Sequence, residues 1–246
     1  MAAIPLKREV EYPSSDGKPM AETDLHREEM MYVIGALGEH FRAEPDVYVS
    51  GNLLLYFVEG DPTRSASPDV LVTRGLLHAK ELRETYKLWE EGRAPSWIIE
   101  VTSKTTRLED LNRKKNLYER LGVEEYFLFD PRAEYLDPPL QGFRLVAGRY
   151  EPIALEADGS LVSRILGIVF RREGERLRMS DARTGRMLSR LGEVLRERQE
   201  EEDRANREAE ARRAAEERAA QEAEARRVLE AEVARLRAEL ERGRVS

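Results

Sequence analysis

Ser67-Pro68-Asp69 stands immediately before the apolar run Val70-Leu71-Val72, and a second apolar run, Trp97-Ile98-Ile99, ends in Glu100-Val101. A carboxylate on a buried strand costs free energy unless it is partnered. A hard divalent cation shared by both acids would supply oxygen ligation and charge neutralisation. Asp69 alone also reads as ordinary turn chemistry, because Ser-Pro-Asp is common in loops. Glu100 resists that reading, since the run around it has no polar face.

A cation enters from the helical pattern that follows. Leu111, Lys114, Tyr118 and Leu121 recur at spacings of three, four and three, which is one inward-facing stripe interrupted by a lysine. Lysines at helix margins commonly snorkel to water, and Lys115, about 100° away around the helix, is the expected solvent lysine. An inward Lys114 beside two carboxylates would be paired with them, and an ammonium there could stabilise charge developing on a scissile phosphate. Asp110, one turn earlier, reads as a cap or a residue that holds Lys114. Tyr118 is a supporting candidate on the same stripe. Glu22 is a further candidate acid, and it and Glu28 are helix-surface residues by default.

The elements that would position these residues are read from periodicity. Met30, Val33, Ile34, Leu37 and Phe41 predict a first helix from about Glu22 to Phe41. Residues 47–50 and 53–58 read as strands separated by Gly51-Asn52, a candidate hairpin. Asp69 opens the next strand, and Glu100 ends another after a polar stretch. The segment 83–93, with Tyr86 and Trp89, reads as a lid or a stacking element, or equally as core or interface packing. A second helix spans Leu108 to Gly122, and Tyr126-Phe127-Leu128-Phe129 then completes a βαβ-like crossover. Edge strands are expected around Ala147-Gly148, and a further hairpin from Val169-Phe170 with Leu177-Arg178-Met179.

After about residue 190 Glu, Arg and Ala nearly exclude everything else, and one long helix is read from about Gly185, so the chain divides into a turn-rich arm (1–20), a domain (21–185) and a charged helical tail (186–246). Glu200 with Arg204, Asp203 with Arg207, Glu208 with Arg212 and Glu222 with Arg226 would each support a solvated helix by about 0.2–0.5 kcal/mol. Leu229, Val233, Leu236 and Leu240 follow heptad spacing, but the register reaches polar and small residues mid-segment. A solvated spacer is the expectation for the middle. An oligomerising or partner-binding surface, with a homodimer or another protein, is the expectation for the end.

The 246 residues, 41 % hydrophobic, allow one well-buried domain and something extra. The chain has no cysteine, which removes thiolate zinc sites and cysteine nucleophiles and suits a reducing cytoplasm. The N-terminus lacks an apolar signal core, and no window is long enough to span a membrane. A net charge of −7 gives no global attraction to a polyanion. Any nucleic acid must therefore meet a local basic surface, for which Lys104, Arg107, Arg113, Lys115 and Arg120 are the candidates.

Ser67-Pro68-Asp69-Val70, then Glu100-Val101-Thr102-Ser103, Thr106 through Asp110, Lys114, Tyr118 and the run 121–131 resemble the Uma-two family of restriction-endonuclease-like proteins, within the PD-(D/E)xK superfamily. The resemblance covers roughly residues 15–180. It implies an α/β fold with a restriction-endonuclease-like core of mixed sheet flanked by helices, here followed by the long charged helix. It also implies phosphodiester hydrolysis, of DNA above other polymers, with magnesium or manganese held by Asp69, Glu100 and the Val101 carbonyl. Thr102 stands where the superfamily usually has a lysine, and similar Uma-two proteins supply it from the following helix, here as Lys114. A catalytically inactive scaffold that recruits partners through its tail is the competing reading.

Overall fold

Thr23 accepts a hydrogen bond from the His26 backbone N–H (3.2 Å) and so caps the first helix, α1 (Asp24–His40), with Asp24 in its first turn. In this computed structural model, which describes residues 10–15, 23–103 and 106–244, α1 lays Met30, Val33 and Leu37 on a six-stranded sheet. The strands in chain order are β1 (Val47–Ser50), β2 (Leu55–Tyr56), β3 (Ser65–Ala66), β4 (Val70–Arg74), β5 (Tyr86–Lys87), β6 (Trp97–Val101), β7 (Glu125–Phe129), β8 (Leu140–Val146), β9 (Arg149–Pro152), β10 (Leu161–Ser163), β11 (Ile168–Glu173) and β12 (Arg176–Asp181). The main sheet has the order β1-β4-β6-β7-β8-β9, with β6 and β7 parallel and the other pairs antiparallel.

Both faces of that sheet are covered, which explains the unbroken apolar runs of β4, β6 and β7. Val72, Trp97, Ile99 and Phe127 pack towards α1 and the small β10-β11-β12 sheet, where Trp97 stacks on Phe170 with ring centres 5.3 Å apart. Leu71, Ile98, Tyr126 and Leu128 pack on the other face against Leu117 and Tyr118 of the second long helical segment, and against Leu55 and Tyr86 of the β3-β2-β5 sheet. Because side chains alternate along β6, Glu100 shares the Ile98 face. It therefore points at that helical segment.

The crossover from β6 to β7 consists of a wide π-type stretch, Glu109–Lys114, running into α3 (Lys115–Leu121), which Gly122 closes in the left-handed region (φ 82°). The expected βαβ unit is therefore present, with an unexpected wide turn at its start. The 83–93 segment, which includes the short helix α2 (Leu88–Glu91), is packing: Tyr86 is fully buried and Trp89 lies against Tyr12.

Three expectations are corrected. Residues 47–50 and 53–58 do not form a hairpin, because β1 pairs with β4 while β2 joins β3 and β5. Gly51 instead lies against the Asp69 carbonyl so closely that an added Cβ would stand 2.2 Å from it, and the Asn52 N–H donates to Pro68 O (3.0 Å) and Asp69 O (3.2 Å). Of the strands around Ala147-Gly148, only β9 is an edge; β8 lies inside it. The last helix, α4 (Leu191–Arg244), begins at Leu191, not at about 185. Residues 185–190 are fixed by Leu188 in the core and by Arg190, whose guanidinium donates to buried Glu29 (2.7 Å) and to Leu177 O (2.8 Å).

The chain divides into two units, residues 1–191 and 192–246. Within α4, Arg212 reaches Glu216 (2.9 Å) and Arg226 reaches Glu230 (3.0 Å), each one turn onward and not back to Glu208 or Glu222. Among the described residues no helix is long and apolar enough to cross a membrane.

Arg190→Ala should lower the stability of the first unit by about 2 kcal/mol in denaturant unfolding, because buried Glu29 loses one of its two guanidinium partners and keeps Arg176 and the Leu177 N–H. A chain ending at 191 should unfold as cooperatively as the full chain, whereas one ending at 185 should be less stable.

Candidate active site

Gly51 and Asn52 fix the backbone at Pro68-Asp69, and the carboxylate of Asp69 then turns across the β4–β6 pair. Its Oδ2 accepts the Val101 backbone N–H at 2.7 Å, while the Asp69 N–H donates to Glu100 Oε2 at 3.2 Å. The two acids are thus bound reciprocally through neighbouring strands. Glu100 is fully buried: Oε1 accepts from the Tyr118 hydroxyl (2.9 Å) and Oε2 from Lys114 Nζ (2.9 Å). Lys114 Nζ also lies 3.2 Å from Asp110 Oδ1, and the side chains of Lys114 and Asp110 are 14 % and 1 % exposed.

Sequence reasoning missed a sixth participant. His26 on α1 is buried, with Nε2 3.4 Å from Asp69 Oδ2. The signal was present, because His26 extends the stripe of Met30, Val33, Leu37 and Phe41 by one step of four, a polar interruption like that of Lys114.

Three carboxylates surround one ammonium, and burial competes with their mutual attraction at each group. Burial pushes the Glu100 carboxyl well above the usual carboxylate range despite the opposing pull of Lys114, and it also raises Asp110. For Asp69 burial acts in the same upward direction, but the His26 contact, Lys114 and the Val101 N–H outweigh it and hold the carboxyl low. Lys114 shows the converse balance: burial opposes its charge, and Glu100, Asp69 and Asp110 together keep it above the ordinary lysine range. Lys114 is therefore an ammonium at neutral pH and not a base. Burial and the nearby Glu100 likewise keep the Tyr118 hydroxyl protonated, as a donor.

The cluster opens to solvent beside Lys114. A polar groove of about 490 Å³ is lined there by Tyr56, Ser65, Ser67, Arg113, Lys114 and Leu117, among others. A smaller cleft of about 210 Å³ meets the cluster from the other side, at His26, Val101 and Thr102. Of the five basic candidates, Arg113 lines the groove and pairs with Glu109 (3.1 Å). Arg107 lies over the Tyr135 ring, and Arg120 donates to Asn116 O. Lys115 is not the expected solvent lysine, since its Nζ stands 3.5 Å from the centre of the Phe143 ring and burial lowers its pKa. Lys104 and Glu22 lie outside the described residues.

Among the described residues no three His, Asp or Glu side chains form a group that could by itself hold a metal ion. Two carboxylates are nevertheless enough for magnesium, which usually keeps several waters and takes one or two protein carboxylates plus substrate phosphate oxygens. The donor set fits such an ion: all the acids are hard oxygen donors, and Asp110 is buried beside them with its Oδ1 already 3.2 Å from Lys114 Nζ, which leaves Asp69 and Glu100 as the candidate ligands. At Val101 the observed bond is made by the N–H, which orients Asp69.

Lys114→Met should leave Glu100 buried beside two other acids, and its pKa should rise further. Lys114 also helps to hold Asp69 low, so above about pH 3.9, where an unfolded aspartate ionises, the variant lacks an attraction that the wild type has, and Glu100, already raised in the wild type, adds to the loss only at higher pH. The loss in unfolding free energy should therefore be small below about pH 4 and should grow with pH, reaching about 3 kcal/mol at pH 8. Denaturant unfolding across that range checks the sign.

No curated protein shows a match to this chain. Among solved structures it is similar to the crystal structure of a "putative nuclease belonging to DUF820" from Anabaena variabilis ATCC 29413, with 18 % identity, a TM-score of 0.45, and 61 % of this chain and 76 % of that chain covered. Residues 3–173 match the family model of Uma2, described as "Putative restriction endonuclease". That span takes in β4, β6 and the helical crossover with all the residues gathered around Glu100, and the chain belongs to the Uma2 (Uma-two) family.

Proposed function

We propose that the chain is a magnesium- or manganese-dependent endonuclease that hydrolyses phosphodiester bonds in DNA, with Asp69 and Glu100 as ligands and Lys114 as the catalytic cation. Membership of a family described as restriction endonucleases supports hydrolysis of nucleic acid. The observation that carries the residue assignment is the sharing of Glu100 Oε2 by Lys114 Nζ and the Asp69 N–H, at the wall of a polar groove.

When bound, the ion would supply a Lewis acid for the phosphoryl oxygen and a water acidified enough to attack phosphorus. The chain supplies the geometry. Val101 N–H and His26 set the orientation of Asp69, and Tyr118 fixes the rotamer of Glu100. The Lys114 ammonium, steadied by Asp110, stabilises negative charge on the phosphoryl group as it develops. It does so without giving up a proton, because its pKa is held high. Arg113 on the groove wall positions a backbone phosphate with no base specificity. The lack of cysteine fits a cytoplasmic setting for this chemistry.

Single- and double-stranded DNA and RNA incubated with magnesium or manganese should show cleavage, with DNA preferred. Asp69→Ala and Glu100→Ala should fall below about one hundredth of wild-type turnover, and Lys114→Ala should lose about 10²-fold. Lys115→Ala should stay close to wild type, since its ammonium lies over Phe143. Undiminished cleavage by the Asp69 or Glu100 variants would remove the proposed site, and a larger loss at Lys115 than at Lys114 would exchange the two lysines.

His26→Gln keeps a polar group but changes what faces Asp69, and it should lower metal affinity by about 10-fold in calorimetric titration with manganese. An unchanged affinity would reduce His26 to a packing residue.

A further inference from the structure

Among the residues of α4 whose side chains are described, the large apolar ones are exposed: Leu191 and Leu229 are 75 % and 65 % exposed, and Val194 and Val233 are also exposed. With Leu191 at position a and Val194 at position d of a heptad, counting in sevens places Leu229 at d and Val233 at a without a skip. The apolar ends of the helix thus belong to one register. The interior of the register separates charge by position. Arg198, Arg212 and Arg226 all fall at a, and Glu201, Glu208 and Glu222 all fall at d.

That separation selects an orientation. In a parallel, in-register pair, a meets a and d meets d, so each of these arginines would face its own copy and each glutamate likewise. In an antiparallel pair, a meets d, and unlike charges face one another. We propose that α4 associates with α4 of a second copy of this chain as an antiparallel two-stranded coiled coil, with its two-fold axis at Glu210.

The register follows from complementarity. With the axis at residue 210, Arg198 faces the partner's Glu222 and Arg212 faces the partner's Glu208. Ala205 meets the partner's Ala215, and Leu191 meets the partner's Leu229. Each of these layers occurs twice by symmetry. Two mixed layers remain, in which the stem of Arg226 covers Val194 and Glu201 leans out past Ala219. Sliding one heptad either way leaves a single kind of Arg–Glu layer, and sets Arg198 against Leu229 or Leu191 against Glu222.

The contacts within α4 are compatible with this pairing. Arg212 and Arg226 reach onward to Glu216 and Glu230, which leaves Glu208 and Glu222 unclaimed by those arginines. A guanidinium has five N–H donors, so Arg212 can keep Glu216 and still reach the partner's Glu208. Charged layers contribute little net stability but set orientation, while the leucine and alanine layers supply the attraction. The two Leu191 residues would stand about 57 Å apart along the coil, at 1.5 Å per residue.

The absence of cysteine gives a clean background for a test in the full chain. Ala205→Cys and Ala215→Cys chains, mixed and mildly oxidised, should form a disulfide-linked dimer, while either alone should form less than about a tenth as much. Arg198→Glu should weaken the dimer about tenfold in sedimentation equilibrium, and Arg198→Glu with Glu222→Arg should restore it. Cross-linking of the Ala205→Cys chain with itself would show a parallel pair and overturn the proposal. A wild-type chain that sediments as a monomer, or a dimer that cross-links in no arm, would overturn it too.

Discussion

Everything at the candidate site depends on a buried carboxylate, Glu100, that water cannot solvate. Its oxygens are satisfied by Tyr118 on one side and by Lys114 and the Asp69 N–H on the other. Removing a charge from water costs several kcal/mol per ion, and close, well-directed partners are needed to offset it. The cost is met here by residues on three elements: the start of β4, the wide turn after β6, and α3. Each element is held in place by a core that would have formed without the acid.

The two-sided sheet makes this possible. Parallel pairing of β6 and β7 requires a crossover helix, and that helix must lie on the sheet face that carries Ile98 and Glu100. The wide turn Glu109–Lys114 begins this crossover and brings Asp110 and Lys114 together before the α-helical stretch of Leu117 and Tyr118 packs down. On the opposite face α1 brings His26 to Asp69. The acids lie at the junction of the two layers and communicate with solvent on both sides, through the groove at Lys114 and the cleft at Thr102. Access for a polymer and burial for a carboxylate are thereby reconciled within a few ångströms.

How much of this was legible in the sequence varied with the range of the interaction. Periodicity marked α1, the βαβ unit and Lys114 as an inward lysine, because a helical stripe is a local property and the ammonium interrupts it. The same argument reaches His26 once it is applied to α1. The partners of Gly51-Asn52 were not legible, since an apparent turn dipeptide serves here as a point of close backbone approach to Asp69, far along the chain. The start of α4 was misplaced because the hold of the core on Leu188 and of Glu29 on Arg190 is long-range, and nothing local in residues 185–190 marks it. The seam of α4 reads as a failed heptad for a parallel pair, and as a complementary one only when a is set against d.

We propose that Asp69 and Glu100 together bind one divalent ion. A manganese-soaked crystal, measured at the manganese absorption edge, tests it most directly. The expected result is an anomalous peak between the carboxylates of Asp69 and Glu100, with Lys114 Nζ nearby. A peak elsewhere in the domain, or none while Lys114 keeps its contacts with Glu100 and Asp110, would contradict it.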